Sequence, residues 1–320
     1  LKEIEKPIYN RDNISRPFFP GFNSIFKMEW SGEKIYHINV SEQELGKCLY
    51  YEDAHTRTFH TVSLFSDKII AAKKDDHPDI NLWIVIIPDA VYESCRPKST
   101  IKKELIVTKK EITKGQAKKL LAAPELFEDR NKAAEPFAFE ADFHNQLKAR
   151  LLKYTLPTQI IRESTLAPNE YLNQFGLPKR DFSKIRGHMA WSISTAAFYK
   201  TGGKPWKLAD IRKGVCYIGL VYKQDERSAN PKDACCAAQM FLDSGDGFVF
   251  KGAVGPWYNT KKGDYHLSKK QAEQIITMAI ETYKSIEGEA PKELFIHAKT
   301  KFNDIEWEGF QKGAGSETNI

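Results

Sequence analysis

The chain has 320 residues, a net charge of +6 and 41% apolar residues. This length exceeds what one core usually organises, so two domains are expected and a stapled mini-protein is excluded. Five cysteines without a paired spacing support neither a zinc site nor a disulfide framework. Because no apolar run approaches the roughly 18 residues that a membrane span requires, a soluble cytoplasmic protein without a membrane partner is expected.

The first part of the chain predicts short elements and then a buried strand. Residues 10–60 are rich in aromatic and turn residues, which indicates an irregular lead-in followed by short elements. From His60 to Lys74 apolar residues recur at helical spacing. The continuous apolar run Leu82–Val91 is broken by Pro88, and a buried strand flanked by helices is typical of a parallel sheet.

A basic segment and an acidic connector follow. The segment Lys98–Lys119 contains eight lysines against two glutamates. Such a run is most often a solvated face, and contact with a polyanion is the alternative. The acidic, alanine-rich stretch Ala122–Glu140 is interpreted as a connector.

Two helices and a strand are predicted next. Apolar residues recur every fourth position from Phe139 to Leu151, which predicts one apolar helical face. The stretch LPTQIIRE at 156–163 predicts a strand, and residues 184–200 predict a helix that Gly202 and its neighbours end. Pro205 then marks a boundary, so we expect domains at residues 1–205 and 206–320.

The second half changes to strand periodicity. VCYIGLVY, CCAAQMFL and FVFKGAV predict three strands, with DSGDG as the turn of a hairpin. A long amphipathic helix, Ser268–Ile286, leads to another buried strand, ELFIHA. Strands, then a helix, then a strand is the opening of an RNase H-like sheet. His297 in this last strand is expected to be packed, with contact to a nucleic-acid backbone as the alternative.

Four residues of the middle third form a candidate phosphate pocket. His144 and Lys148 lie one turn apart on the same side of a predicted helix. Gln159 begins the following strand, and Lys200 ends the next helix. Two lysines, a histidine and an amide offer donors without a carboxylate, which suits a terminal phosphate. Taken singly, each is more often a solvated or cross-strand residue.

Three stretches together, PTQIIREST, SISTAAFYKTGGKPWKL and YIGLVY, resemble the MID and PIWI region of prokaryotic Argonautes. The resemblance spans roughly Leu82 to the C-terminus. It implies an α/β protein in which a Rossmann-like MID domain precedes an RNase H-like PIWI domain, the latter expected to be truncated at its C-terminus.

The resemblance also implies roles for the pocket. His144 matches the position that stacks on the first guide base, and Lys148, Gln159 and Lys200 match ligands of the guide 5' phosphate. Candidates for the guide backbone are Thr158, Lys204 and Lys207. Such contacts position a strand, while base pairing of the guide supplies sequence recognition.

The carboxylates that a nuclease of this family needs are missing from their expected positions. RNase H-like nucleases hold two metal ions about 4 Å apart with clustered carboxylates. By this resemblance Val221 matches the first aspartate and Lys299 matches the third. The second carboxylate of the family is a glutamate on a finger after the hairpin, and the interval Arg227–Ala272 contains no glutamate. The sequence therefore predicts a protein that binds and does not cut. The alternative is a different metal site built from the aspartates of the turns, namely Asp243, Asp246 and Asp264.

A MID and PIWI pair without the catalytic carboxylates resembles the short prokaryotic Argonautes. The resemblance implies a guide RNA, a single-stranded DNA target and an APAZ-containing partner with a TIR or sirtuin-like NAD-degrading effector that arrests the infected cell. Mg²⁺ at the guide 5' end is left open, since its carboxylate ligand in relatives is often the chain's C-terminal group. The rival functions are an active guide-directed endonuclease and a non-guided single-strand-binding protein.

Overall fold

The structure is a computed structural model that describes residues 2–9, 18–30, 35–74, 80–126, 128–179, 182–206, 212–224, 230–244 and 246–320. The chain divides into two compact units, Leu1–Pro205 and Trp206–Ile320. None of the helices in these described ranges is both long and apolar enough to cross a bilayer.

The first unit is mainly helical around short strands. Its strands are β1 Ile8–Tyr9, β2 Phe18–Phe19, β3 Trp83–Ile87 and β4 Thr158–Arg162. Its helices are α1 Phe22–Phe26, α2 Glu42–Leu49, α3 Ala54–Lys74, α4 Asp89–Ser94, α5 Lys114–Ala122, α6 Glu128–Ala134, α7 Phe143–Leu152, α8 Glu163–Leu166 and α9 Phe182–Lys200.

A parallel strand pair forms the centre of this unit. Strands β3 and β4 pair in parallel with Val85 opposite Ile160, as the buried apolar run predicted. One apolar core joins them to α3 and α7, and its buried members include Val62, Phe65, Trp83, Val85, Ile87, Leu147 and Leu151. The α/β class predicted from the sequence is confirmed.

Two sequence boundaries in the first unit need correction. Helix α7 begins at Phe143 and not at Phe139, because Asp142 caps it by accepting a hydrogen bond from the Asn145 N–H at 2.9 Å. The connector Ala122–Glu140 is partly helical, since it contains α6 and a short 3₁₀ helix. The connector lacks the long apolar period that reveals a helix in sequence, whereas the apolar period of α7 extends back to Phe139, one turn before the helix begins.

Helix α9 ends where the glycines predicted. Gly202 has φ +93°, a left-handed conformation that glycine adopts without steric cost. A Cβ atom at Gly203 would lie 2.4 Å from the Phe198 ring, so a larger residue here would have to displace that ring. Lys200 is therefore fixed at the end of the helix.

The second unit contains a four-stranded mixed sheet. Its elements are β5 Val215–Gln224, β6 Ala234–Leu242, β7 Gly247–Gly255, β8 Tyr258–Asn259, β9 Asp264–Tyr265, α10 Lys269–Glu287, β10 Glu293–Ala298 and α11 Asp304–Ala314. The strand order is β10-β5-β6-β7, with β10 parallel to β5 and the other two pairs antiparallel. The predicted hairpin, helix and returning strand are confirmed, although residue 245 of the turn lies outside the described residues.

One face of this sheet is buried, and in the described part of the chain side chains on the opposite face are exposed. Ile218, Leu220 and Met240 are buried in a core with α10 and α11. On the other face Val221 is 60% exposed and Phe295 is 41% exposed. Strand residues alternate between two faces, so both sets follow from a single register.

Helices α10 and α11 approach closely because α11 carries glycines at the contact. A Cβ atom at Gly309 would lie 2.5 Å from the Lys269 carbonyl oxygen, and one at Gly313 would lie 2.5 Å from that of Glu273. Larger residues would push the helices apart.

Glu306 ties three elements of the second unit together. Its carboxylate, 1% exposed, accepts hydrogen bonds from the Leu267 N–H at 2.8 Å and the Asn303 N–H at 3.1 Å. It also contacts His266 Nδ1 at 2.8 Å. One side chain thereby joins the end of the β8–β9 hairpin to the starts of α10 and α11.

Candidate functional site

Three of the predicted pocket residues come together in the first unit. Lys200, at the end of α9, donates from Nζ to Gln159 Oε1 at 2.6 Å and to the Thr158 carbonyl oxygen. Lys148 on α7 lies close enough to Lys200 to lower its pKa. An ammonium group has three donors, and the described contacts occupy two of them on Lys200.

The electrostatics of this group favour an anion. Burial and, to a smaller extent, the nearby positive charge of Lys148 together lower the pKa of Lys200 to about 8. Both effects disfavour the charged ammonium when the pocket is without an anion. A phosphate placed beside the two lysines would offset both, because it supplies the opposite charge.

His144 lies at the entrance of a neighbouring cavity. It is exposed in the first turn of α7, and its Nδ1 lies 3.4 Å from Asn145 Oδ1. Together with Gln159 it lines a cavity of about 540 Å³ that reaches Met189 on α9. Lys148 and Lys200 do not line this cavity, and Gln159 links it to them. We call His144, Lys148, Gln159 and Lys200 the phosphate cluster.

The structure adds cavity residues that the sequence analysis missed. Tyr92 lies between two guanidinium groups, with Arg162 at 4.1 Å and Arg96 at 4.5 Å from its ring centroid. All three line the cavity beside His144. The spacing of Tyr92 and Arg96, one helical turn apart, was the available signal. Arg162 is partly neutralised by Asp89, whose Oδ1 accepts from Arg162 Nε at 2.9 Å.

The three residues predicted to contact the guide backbone differ in their surroundings. Thr158 is 6% exposed, and its hydroxyl donates to the Leu156 carbonyl oxygen at 3.2 Å. Its carbonyl oxygen, and not its side chain, contacts the phosphate cluster, because it accepts a hydrogen bond from Lys200. Lys204 is exposed just beyond the end of α9. Lys207 lies outside the described residues.

The phosphate cluster does not by itself fit Mg²⁺. That ion takes oxygen ligands and is usually held through carboxylates, whereas this group offers two ammonium groups, an amide and an imidazole. In the described part of the chain no three His, Cys, Asp or Glu side chains form a group that could hold a metal. Any ion bridging a bound phosphate would need ligands from outside the four residues.

The two residues that the sequence analysis matched to nuclease aspartates are neighbours in the second unit. Leu220 pairs with Ala298 in the parallel register of β5 and β10, so the next residues, Val221 and Lys299, adjoin each other. Both are exposed, as is His297 on the same strand, which the sequence analysis expected to be packed. The positions thus have the proximity that paired metal ligands require, but a methyl-bearing and a cationic side chain occupy them.

The alternative metal site from turn aspartates has other contacts instead. Asp243 Oδ2 accepts from the Gly214 N–H at 3.3 Å, and Asp246 Oδ2 accepts from the Ser244 hydroxyl at 2.8 Å. Asp264 Oδ2 lies 3.5 Å from His266 Nε2. Each carboxylate has a local partner, as is usual for aspartates in turns.

Comparison with known proteins leads to Argonautes among solved structures. No protein-family model and no curated protein sequence matches the chain. It is similar to a Clostridium butyricum Argonaute bound to guide and target DNA, at 18% identity and a TM-score of 0.43, over 77% of this chain and 24% of that one. An A. aeolicus Argonaute matches at 15% identity and 0.33, over 73% and 33%. Drosophila Piwi matches at 13% and 0.30, over 70% and 29%.

The chain therefore spans about a quarter to a third of the length of the proteins that it resembles. At these identities the likeness assigns no role to any residue.

Proposed function

We propose that this chain is the MID and PIWI part of a short prokaryotic Argonaute that binds the 5' phosphate of a guide strand and does not cleave the target. The observation that carries the proposal is the contact of Lys200 with Gln159 and the Thr158 carbonyl oxygen, with the positive charge of Lys148 nearby. Sequence separation alone does not require these residues to meet, and they do so with no carboxylate in the group.

The chemistry of the group suits a terminal phosphate better than an internal one. A terminal phosphate carries up to two charges and three exposed oxygens, so it can accept donors from two lysines and an amide together. In this proposal His144, which is exposed and lines the adjoining cavity, stacks on the first base, since aromatic side chains commonly stack on nucleic-acid bases. The pocket therefore selects the end of a strand.

The proposed absence of cleavage is based on two side chains of the second unit. A two-metal mechanism needs carboxylates on both strands at the position where β10 ends beside β5. The side chains at that position are Val221 and Lys299, and neither is a ligand for a hard cation. We infer that this unit holds nucleic acid without hydrolysing it.

The biological role extends the proposal through the resemblance of the sequence to short prokaryotic Argonautes. The guide is RNA, the target is single-stranded DNA, and target recognition activates an APAZ-containing partner with a TIR or sirtuin-like NAD-degrading effector in cytoplasmic defence. The effector chemistry belongs to the partner.

The direct test compares two guides that differ only at the 5' end. We expect the chain to bind a 5'-phosphorylated 18-nucleotide RNA, a probe length of about 18 chosen to exceed one binding site, at least tenfold more tightly than its 5'-hydroxyl counterpart. Lys148→Ala should abolish most of this preference, whereas Lys153→Ala, a lysine substitution just beyond α7, should preserve it. Equal affinity for both ends would favour a non-guided single-strand-binding protein.

Two further readouts separate the rivals. Nucleic acid that copurifies with the chain should consist of short RNAs with a uniform 5' phosphate. Incubation with a complementary DNA target and Mg²⁺ or Mn²⁺ should leave the target intact, and metal-dependent cutting by the natural chain would establish the endonuclease instead.

A further inference from the structure

A wide groove of the second unit lies between helix α10 and the end of strand β7. Its volume is about 1080 Å³. Pockets for single small molecules usually measure about 300 to 1,000 Å³, so this groove is large enough for several side chains of a polypeptide. The apolar part of its lining consists of Cys236, Gly252, Trp257, Leu267, Ile275 and Met278. We call this cavity the edge groove.

Gly252 opens the groove on the strand side. A β-bulge interrupts the register of β6 and β7 at this point. A Cβ atom at Gly252 would lie 2.0 Å from the Cys236 carbonyl oxygen, so a side chain there would force the two strands apart. Phe248 and Phe250, earlier in the same strand, pack against the core of the unit. The strand thus stops filling the space beside α10 where the bulge begins.

Strand β7 forms a free edge next to the groove. Among the strands that the structure describes it pairs only with β6, and this pairing is regular from Gly247 to Lys251. Alternate residues of an antiparallel strand direct their N–H and C=O groups away from the partner, so β7 presents backbone groups that a further strand can pair with. Val249 is 73% exposed and Val254 is 58% exposed on the same strand. A further strand beside β7 would reduce the exposure of both.

The helix side of the groove carries lysines. Lys269, Lys270 and Lys312 line it together with the acidic Glu273. Two of these lysines are neutralised, because Lys312 Nζ lies 2.9 Å from Glu273 Oε1 and Lys269 Nζ lies 2.7 Å from Glu308 Oε2. Lys270 is exposed and forms no ion pair with any residue that the structure describes. The complement of this wall is an occupant with apolar and acidic side chains.

We propose that the edge groove binds an extended segment of a partner protein, rich in apolar and acidic residues, which adds to β7 as a further strand. When a peptide adds to an exposed sheet edge, main-chain hydrogen bonds supply affinity and pockets for alternate side chains supply specificity. Apolar side chains of the segment lie against Gly252 and Met278, and an acidic side chain faces Lys270. A sheet edge flanked by a helix, as β7 is by α10, supplies both kinds of contact.

This inference goes beyond the guide-end pocket and does not depend on it, because residues of the second unit alone carry it. A nucleic-acid strand also offers negative charge, but it lacks the alternating amide N–H and C=O groups that pair with a strand edge. The free edge and the apolar lining therefore favour a polypeptide over an oligonucleotide.

The test titrates the full chain with a fluorescent peptide of about 8 residues, a length within the usual range of strands. Threonine occupies every second position, and leucine and glutamate alternate between the threonines, so that one face of the extended peptide is apolar and acidic. We expect saturable binding by fluorescence anisotropy. The same peptide with lysine in place of glutamate should bind about tenfold more weakly or worse, because it meets Lys270 with like charge.

Two variants with matched controls test the helix side of the groove. Lys270→Glu should weaken binding of the acidic peptide about threefold or more. Its control, Lys292→Glu, changes an exposed lysine just before β10, the other edge strand, and should leave binding unchanged. Met278→Gln should weaken binding by about threefold through loss of apolar contact. Its control, Ile286→Gln, changes an exposed apolar residue of the same helix that does not line the groove.

Hydrogen exchange tests the added strand directly. Binding of the acidic peptide should slow amide exchange in fragments that cover Gly247–Gly255, because outward N–H groups of β7 become hydrogen-bonded. Fragments that cover the central strand β5 should not change. This readout uses the natural chain and requires no variant to fold.

Several results would overturn the inference. Absence of saturable binding, or unchanged exchange in β7 at saturating peptide, would exclude strand addition. Equal binding of the glutamate and lysine peptides, or no difference between either variant and its control, would exclude the assigned contacts. A single-stranded oligonucleotide that displaces the peptide would assign the groove to nucleic acid. A dimer whose β7 amides are already protected without peptide would assign the edge to a second copy of the chain.

Discussion

The phosphate cluster of the first unit and two lysines of the second unit, Lys261 and Lys299, use the same side chain in opposite ways. Lys200 is half-buried, held by a carbonyl and an amide oxygen, and its pKa is lowered. Lys261 and Lys299 are exposed and have no ion pairs in the described ranges. A fixed, partly desolvated cation distinguishes one kind of anion from another, whereas solvated cations attract any polyanion. The comparison predicts that the first unit distinguishes one kind of anion from another and that the second unit attracts polyanions in general.

The largest effect is expected from Lys200→Ala. The substitution removes a charge-assisted donor from the pocket and leaves Gln159 without its partner. The advantage of a 5'-phosphorylated strand over a 5'-hydroxyl strand should fall by about 2 to 4 kcal/mol, measured as the ratio of the two dissociation constants. Binding of the 5'-hydroxyl strand should not change.

Lys200→Arg sharpens this test. It keeps the charge but introduces a planar fork in place of a compact ammonium group that bonds Gln159 and the Thr158 carbonyl. A phosphate preference fully restored by arginine would show that charge alone suffices and would contradict the positional argument.

A smaller effect is expected on the second unit from Gly309→Ala. The added methyl group meets the Lys269 carbonyl oxygen, so α10 and α11 must separate. We expect a loss of about 1 to 3 kcal/mol in the free energy of unfolding, measured by denaturant titration. Gly115→Ala on α5 is a suitable control, because a Cβ atom there has no neighbour within 4 Å. The 5'-phosphate preference should survive Gly309→Ala if the two units function separately.

The pH dependence of the phosphate preference follows from Lys200. Because a phosphate binds the charged ammonium, the preference should be full below about pH 8 and should decline as pH rises through the pKa of Lys200. Between pH 7 and 9 we expect a loss of up to about tenfold in the affinity ratio. An unchanged ratio over that range would mean that Lys200 does not contact the phosphate.

The pH dependence that Lys200 gives to folding stability has the opposite sign. The pKa of Lys200 is lower in the folded chain than its ordinary value of 10.5. The unfolded state therefore binds more protons between about pH 8 and 10.5, so the contribution of this residue to stability rises with pH in that window.

The smallest effect is expected from Val221→Asp. One restored carboxylate beside Lys299 does not create a two-metal site, so target cleavage with Mg²⁺ or Mn²⁺ should remain undetectable on a sequencing gel. Cleavage by this single variant would show that other carboxylates are in place and would return the endonuclease as the function.

The elements with strong apolar periods could be predicted from the sequence. Strands β3 and β5, helices α3 and α10, and the glycine stop after Lys200 follow from local pattern. Helix α6 and the start of α7 could not be placed in this way, because short helices are fixed by caps such as Asp142 and by tertiary contacts.

For the candidate site, too, part could be predicted from local sequence and part could not. The residue types of the phosphate cluster could be named from spacing and resemblance, but its contacts depend on where α9 ends relative to β4. Tyr92, Arg96 and Arg162 were missed because a cation stacked on a ring depends on three-dimensional proximity between α4 and β4.

Glu306 gives the second unit an unexpected point of vulnerability. This carboxylate anchors the hairpin that carries Lys261 and Lys262, although it lies beneath the surface. Replacement of this buried acid would therefore displace an exposed hairpin that the acid itself never reaches, so damage at the surface can originate in the interior.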